Sequence, residues 1–378
     1  MIFEVRGAGF VNKGAELMLR SVIDQLNTSF QNCKIVIDPI YATRENRISL
    51  GLYKKARIKF LRHAGQQIVR LIPEKIRKTY GMITESEIDA VIDISGFAYG
   101  DKWGTIYARE MASACKRWKH DNKKVILLPQ AFGPFLNHAL RKYVRTIINL
   151  ADIVYARDSQ SFQFLQELDG PHLNIREAPD FTVLLDGIPS NEFKKDEKIA
   201  CIVPNFRMID MTSGETEEDY LLFLVRSIEY LHQRGITPCL LLHEYSSDID
   251  FGNKIQSALP YSLKMIQKEN PLHIKGILGS SYLVMASRFH ALVGALSQGI
   301  PTIGTGWSHK YDGLFGDYGC MENLISSQEL KSDPSPIIDR LLNYSARTSL
   351  VQNLKAKAEN HRKLVLRMWE EVLEFLRN

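Results

Sequence analysis

Three side chains in the last third of the chain have the types and spacing for chemistry on a small anion. Arg288 and His290 stand one residue apart in SRFHALVGALSQGIP, and Lys310 follows in GWSHKYDGLF. An arginine fork takes a carboxylate or phosphate through paired hydrogen bonds, and a lysine ammonium adds a compact point charge. A histidine titrates near neutral pH and can give or take a proton. Together they would bind a multiply charged anion and move a proton beside it. A fourth candidate, Arg157, lies earlier in YARDSQS. Taken singly, a cation after a strand is usually solvated and a histidine beside an apolar helix is usually structural. The case rests on what positions the set.

Leu283–Ala286 reads as a short apolar strand, with Arg288 to His290 in the turn after it and an apolar helix to about Gln298. Gly299 suits a left-handed helix stop. Pro301 opens a second strand, Thr302–Thr305, and a Gly/Trp/Ser loop then delivers His309 and Lys310. Strand, helix, strand is a parallel βαβ unit, and open α/β sheets bind ligands beyond the carboxyl ends of their strands. Both cationic clusters fall there. Arg288 and His290 also open a helix, whose free N–H groups favour an anion.

The same alternation runs through the first half. Strands are expected at Ile2–Val5, Lys34–Ile37, Ala90–Ile94, Lys124–Leu128, Ile153–Ala156 and Ile175–Ala178, with helices between them. Their ends carry Asn12, Gly96, Gln130 and Arg157. Gly7 and Gly9 fit a dinucleotide loop, but Asn12 stands where its third glycine belongs, and no Walker lysine precedes a Ser or Thr. Asp93 falls inside its strand and is left out of the candidate site. Asp248-Ile249-Asp250 fits a DxD pattern too short to assign. A polar break at Pro189–Asp196 separates a second run of strands, beginning at Lys198–Val203 and Pro238–His243. The expected organisation is two Rossmann-type, doubly wound α/β domains, 1–188 and 197–344. A helical segment, 345–378, is expected to pack back on the first. Two such domains facing across a cleft make the architecture called GT-B.

Composition is that of an ordinary globular protein, 45% hydrophobic and 24% charged. Five cysteines (Cys33, Cys115, Cys201, Cys239, Cys320) show no metal-ligand or disulfide spacing, which fits a reducing compartment and no metal. No apolar run reaches the length of a membrane span, and the start lacks the features of a signal peptide, so a cytoplasmic protein is expected. The net charge of +5 is uneven: residues 44–78 hold eleven Lys/Arg against two acids, a balance of +9 that leaves −4 elsewhere. Ile58, Leu61, Ala64, Ile68 and Leu71 recur there at helical spacing. A basic amphipathic helix of this kind can lie on an anionic membrane surface. A solvated basic face is the plainer alternative. Nothing points to nucleic acid.

Over most of its length the sequence resembles the polysaccharide pyruvyl transferases, through VNKGAE, the SGF loop, LLPQAFGPF, YARDSQS, APDF, SRFHALVGALSQGIP and GWSHKYDGLF in that order. The resemblance implies a GT-B-like enzyme that moves pyruvate from phosphoenolpyruvate onto a sugar hydroxyl pair as a ketal. The sugar belongs to a surface or capsular polysaccharide or its lipid-linked precursor. Phosphoenolpyruvate is then a co-substrate, with no other cofactor. By resemblance Arg157, Arg288 and Lys310 bind this donor and His290 is catalytic. The first domain takes the acceptor, where Asn12 and Gln130 could contact the sugar. A lipid-linked acceptor would bring a cytoplasmic enzyme to the inner membrane face, through 44–78. Two alternatives stand: a GT-B glycosyltransferase using a nucleotide sugar, and a non-catalytic membrane-surface scaffold in polysaccharide assembly.

Overall fold

The structure, a computed structural model, describes residues 1–56, 72–193, 197–210, 217–243 and 247–378. The expected amphipathic helix over 58–71 lies outside the described residues. Tertiary contacts divide the chain into two units. Unit 1 comprises Met1–Phe10, Met18–Phe181 and Leu366–Asn378; unit 2 comprises Val11–Leu17 and Thr182–Val365.

Unit 1 holds a sheet of eight strands: β1 (Ile2–Arg6), β2 (Lys34–Ile37), β3 (Tyr53–Lys55), β4 (Met82–Ile83), β5 (Ala90–Asp93), β6 (Lys124–Gln130), β7 (Ile153–Ala156) and β8 (Ile175–Glu177). Their spatial order is β4-β3-β2-β1-β5-β6-β7-β8, and neighbouring strands run parallel. β5, β6 and β7 are buried along nearly their whole length, which is why they read as continuous apolar runs rather than alternating ones. β1 has β2 on one side and β5 on the other, so the winding reverses there. That is a topological switch point, where such sheets open a crevice. Pro129 sits inside β6, where it removes a ladder donor. The register with β7 shifts between Leu127 and Gln130, which accommodates it.

The core of unit 1 packs the helix Ile106–His120 through Ala108, Met111, Cys115 and Trp118, together with Val144, Ile147 and Ile148 of the helix His138–Leu150. The last turns of the long helix Tyr344–Arg377 belong to this unit as well. Trp369 packs edge-on to Phe181, Lys124 Nζ donates to the Leu376 carbonyl, and Arg176 pairs with Glu371 at 2.6 Å.

Unit 2 holds six parallel strands: β9 (Ile199–Val203), β10 (Thr237–Leu242), β11 (Lys264–Gln267), β12 (Leu283–Ala286), β13 (Thr302–Gly306) and β14 (Leu324–Ser326). Their order is β11-β10-β9-β12-β13-β14, with the switch between β9 and β12. β9 is buried throughout, and β12 and β13 beside it are buried but for Gly306. Gly299 takes φ +75°, the left-handed stop that ends the turn after the Phe289–Leu296 helix.

Part of the basic segment turns out to be internally neutralised. Lys55 is buried between Glu4 (2.6 Å) and Glu85 (3.0 Å), and Arg77 pairs with Glu87. Among the described residues, no helix is long and apolar enough to cross a membrane.

Candidate functional site

In unit 2, β12 and β13 are adjacent and parallel, and each runs straight into a helix: Phe289–Leu296 after β12, His309–Asp317 after β13. Arg288 and Ser308 are the respective N-cap residues, and neither helix start is closed by a side-chain cap. Two helix N-termini therefore open at neighbouring strand ends, an arrangement that favours an anion. The Ser308 hydroxyl oxygen is buried and has no hydrogen-bond partner among the described residues.

The turn carrying Arg288 is locked from beneath. The Ser287 carbonyl accepts from Asn205 Nδ2 (3.1 Å) and from the Tyr311 hydroxyl (3.0 Å). The Ser287 hydroxyl bonds Tyr220 (2.5 Å) and Thr305. With that turn fixed, Arg288, only 8% exposed, forms an ion pair of 2.5 Å with Asp248, which is 1% exposed. Asp248 also accepts from the His243 backbone N–H at 3.0 Å. Asp248 is the acid that spacing alone left unassigned; its role is to hold the Arg288 guanidinium in a buried place. The Lys310 ammonium lies over three rings, at 4.6 Å from Trp307, 5.2 Å from Tyr311 and 5.4 Å from Phe289. Cation–π attraction to such rings orients a lysine that would otherwise sample many rotamers.

His290 packs against Phe289 edge to face and against the early residues of the chain. Gly14 belongs to unit 2, and a Cβ there would come within 2.3 Å of His290 Nδ1. The glycine of VNKGAE thus makes room for the imidazole. Its neighbours are accounted for too: Asn12 Oδ1 accepts from the Gly14 N–H (2.9 Å) to cap the helix, and Lys13 pairs with Glu16 at 2.9 Å. His243 borders the same small hollow as Gly14 and His290. Burial, and then the charges of Arg288, His290 and Lys13, push its imidazole well below the ordinary histidine range. His243 is therefore neutral at physiological pH, and its Nε2 is buried with no hydrogen-bond partner among the described residues.

Arg157 and Gln130 belong to unit 1. Arg157 follows β7, is buried, and pairs with Asp180 of APDF at 3.2 Å. Asp158 beside it caps the helix Ser159–Asp169 through the Ser161 N–H at 2.7 Å, which gives the RDSQS stretch its local fold. Gln130 is completely buried at the end of β6 and donates to Asp93 at 3.1 Å. Asp93 is the last residue of β5, which ends one position before the expected Ile94, and it lines a cavity. It accepts as well from Ser95 Oγ (2.6 Å) and the Tyr99 hydroxyl (3.0 Å), while burial pushes its carboxyl pKa up. Among the described residues, no cluster of His, Cys, Asp or Glu is arranged to hold a metal.

Two parallel α/β sheets, with cationic helix starts at the strand ends of the second, define a GT-B-like protein. Solved structures of that fold match along the whole chain. Anabaena HepE, solved with UDP-glucose, is 13% identical with a TM-score of 0.59, covering 100% of this chain and 99% of that one. The UDP-GlcNAc 2-epimerase of Neisseria meningitidis, bound to UDP-GlcNAc, is 11% identical with a TM-score of 0.62, covering all of both chains. An apo OtsA structure gives 0.52 at 10% identity, covering 100% and 99%. At such identities the likeness concerns the fold alone. No curated protein matches the chain in sequence. The family profile of the polysaccharide pyruvyl transferases matches residues 12–309, and the chain belongs to that enzyme family.

Proposed function

We propose that the protein transfers pyruvate from phosphoenolpyruvate to a pair of sugar hydroxyls, forming a ketal on a surface or capsular polysaccharide precursor. The observation that carries this reading is the pair of uncapped helix starts holding Arg288, His290, Ser308 and Lys310 at adjacent strand ends of unit 2. Phosphoenolpyruvate carries two anionic groups, and this arrangement offers two helix N-termini and two cations.

In the reaction the donor's methylene carbon gains a proton and becomes a methyl, leaving an oxocarbenium-like centre at the neighbouring carbon. A sugar hydroxyl adds to that carbon and loses its proton. The carbon–oxygen bond to phosphate then breaks, a second hydroxyl adds to the same carbon to close the ketal, and its proton leaves with the inorganic phosphate. His290 is the residue that exchanges the proton, while Arg288 and Lys310 hold the donor and stabilise departing phosphate. Asn12 caps a helix and Gln130 supports Asp93, which fixes both side chains locally.

The test is acceptor-dependent phosphate release from phosphoenolpyruvate, measured with galactose-, glucose- and mannose-type acceptors for wild type and His290→Ala. Release that depends on acceptor and disappears in the variant supports the reading. Failure of phosphoenolpyruvate to bind at all sinks it. A lipid-linked acceptor further places the enzyme at an anionic inner leaflet, reached through the basic residues of 44–78.

A further inference from the structure

A large cavity in unit 1 is not part of the cationic site. It has a volume of about 490 Å³ and opens at the β1/β5 switch point. That is within the ~300–1,000 Å³ typical of small-molecule sites and at the place where such sheets bind ligands. Gly7 makes the crevice possible: it takes φ +73°, and a Cβ there would run into the Ser95 backbone at 2.5 Å.

The walls are of two kinds. The first is aromatic. Phe97 and Trp103 meet edge to face at 6.1 Å, and Tyr41 and Tyr107 line the cavity while 47% and 52% exposed. Ile40 beside them is 52% exposed. Large rings left half in water on the rim of a cavity are available for stacking. The second kind is anionic. Asp38, Asp93 and Glu110 line the cavity with Arg6, the one lining cation among the described residues; Asp38 also accepts from the Ile40 N–H at 3.0 Å, and the fourth acid, Glu4, is paired with Lys55 at 2.6 Å. Carboxylates accept hydrogen bonds from hydroxyls, and an excess of them repels phosphates and uronates.

We infer that this cavity binds a neutral hexose of the acceptor glycan, stacked on the rim aromatics and held through its hydroxyls by Asp38, Asp93 and Glu110. The word acceptor rests on the pyruvyl-transfer reading; the neutral-sugar pocket stands on its own geometry. Asp93 is the best-fixed of the three carboxylates, through Ser95, Tyr99 and Gln130, so it serves as the reference point for the sugar's orientation. The acidic lining makes the pocket a filter as well as a seat. A hexuronate or a phosphorylated sugar of the same shape is turned away by charge.

The experiment is a glycan array of galactose-, glucose-, mannose- and glucuronate-terminated oligosaccharides, run without phosphoenolpyruvate. The full-length protein is compared with Tyr41→Ala/Tyr107→Ala and with Asp38→Asn/Glu110→Gln. Wild type is expected to retain neutral glycans and not the glucuronates. The double tyrosine variant should bind at least tenfold more weakly, its thermal stabilisation by phosphoenolpyruvate unchanged. The amidated variant should lose discrimination against glucuronate. Preference for the acidic glycans overturns the inference, as does binding that ignores the tyrosines or no binding to any glycan. Glycan binding together with no stabilisation of wild type by phosphoenolpyruvate leaves the pocket standing and removes the pyruvyl-transfer reading instead.

Discussion

The Arg288–Asp248 pair sets a trade between stability and anion affinity that can be measured. Both side chains are buried, and the carboxylate also receives the His243 backbone N–H. Replacing Asp248 by alanine strips both the counter-charge and its hydrogen-bonding oxygens from a buried guanidinium, which typically costs about 3–5 kcal/mol. It also leaves the His243 N–H to find another acceptor, a further ~1–3 kcal/mol where none is found. Asp248→Asn keeps an acceptor oxygen in place and removes only the charge. The loss is then the difference between a charge-assisted and a neutral hydrogen bond, about 1–2 kcal/mol. For a unit of this size each kcal/mol lowers Tm by about 2–4 °C. The Asn variant therefore melts roughly 2–8 °C below wild type in an anion-free buffer. Adding orthophosphate or phosphoenolpyruvate supplies the missing negative charge, and ligand binding to the native state raises Tm by mass action. The deficit should shrink as the anion is titrated, and more steeply than any gain seen in wild type. Thermal melts of both proteins across a phosphate series make the comparison. A deficit that stays constant over the series would refute the argument, because it would mean that Arg288 does not face the anion.

Other outcomes follow from single contacts. Gly14→Ala places a methyl where His290 Nδ1 now lies, so turnover is expected to fall tenfold or more while phosphoenolpyruvate binding changes little; unchanged kcat would separate Gly14 from the imidazole. His361 is buried edge-on to Tyr318, and burial, with a smaller push from Lys357, lowers its pKa to about 4. Its folded pKa lies below the unfolded value, so the unfolded chain binds the proton first and stability falls as pH drops from about 6.5 toward 4, by about 3 kcal/mol in all. Urea melts of wild type and His361→Gln between those pH values check this: the variant should lose most of the slope, and an identical slope would show that the acid sensitivity arises elsewhere. Contact through 44–78 with an anionic membrane is checked by co-sedimentation with phosphatidylserine vesicles at low salt, where recovery only in the supernatant ends that idea.

Most of the framework could be read from sequence because parallel strands announce themselves as short apolar runs bounded by turn residues. Lys34–Ile37, Ile153–Ala156 and Leu283–Ala286 stand where they were expected, and the GT-B-like pair of sheets follows from their alternation with helices. The strands with no counterpart in the sequence reading, Tyr53–Lys55, Met82–Ile83, Lys264–Gln267 and Leu324–Ser326, lie toward the sheet edges, are two to four residues long, and two of them carry lysine. Edge strands need no continuous apolar run, so periodicity has little to detect. Asp248 was missed for another reason. Its partner is forty positions away along the chain, and no local spacing encodes such a pair. Asp93 did leave a signal. A carboxylate closing the run AVID must be partnered when buried, and Ser95 and Tyr99, two and six positions on, are close at hand to supply partners. Gln130, by contrast, is nearly as remote in sequence as Arg288 is from Asp248.

What the two sheets share makes their difference informative. Each has a switch point, and each places polar residues beyond its strand ends, so topology alone would permit the same ligand in both. The side chains do not. Unit 2 offers Arg288, Lys310 and two uncapped helix starts, whereas the unit 1 cavity sets Asp38, Asp93 and Glu110 against Arg6. A dianionic donor gains from the first and is repelled by the second. A neutral polyol, which needs acceptors and a ring to stack on, finds both in the unit 1 cavity. A nucleotide-sugar enzyme would also need a cationic or helix-start site for its diphosphate, so the cations of unit 2 by themselves do not choose between the donors. Family membership favours a pyruvate donor, and on the proposed reading the acidic, aromatic cavity is where the acceptor sugar would sit.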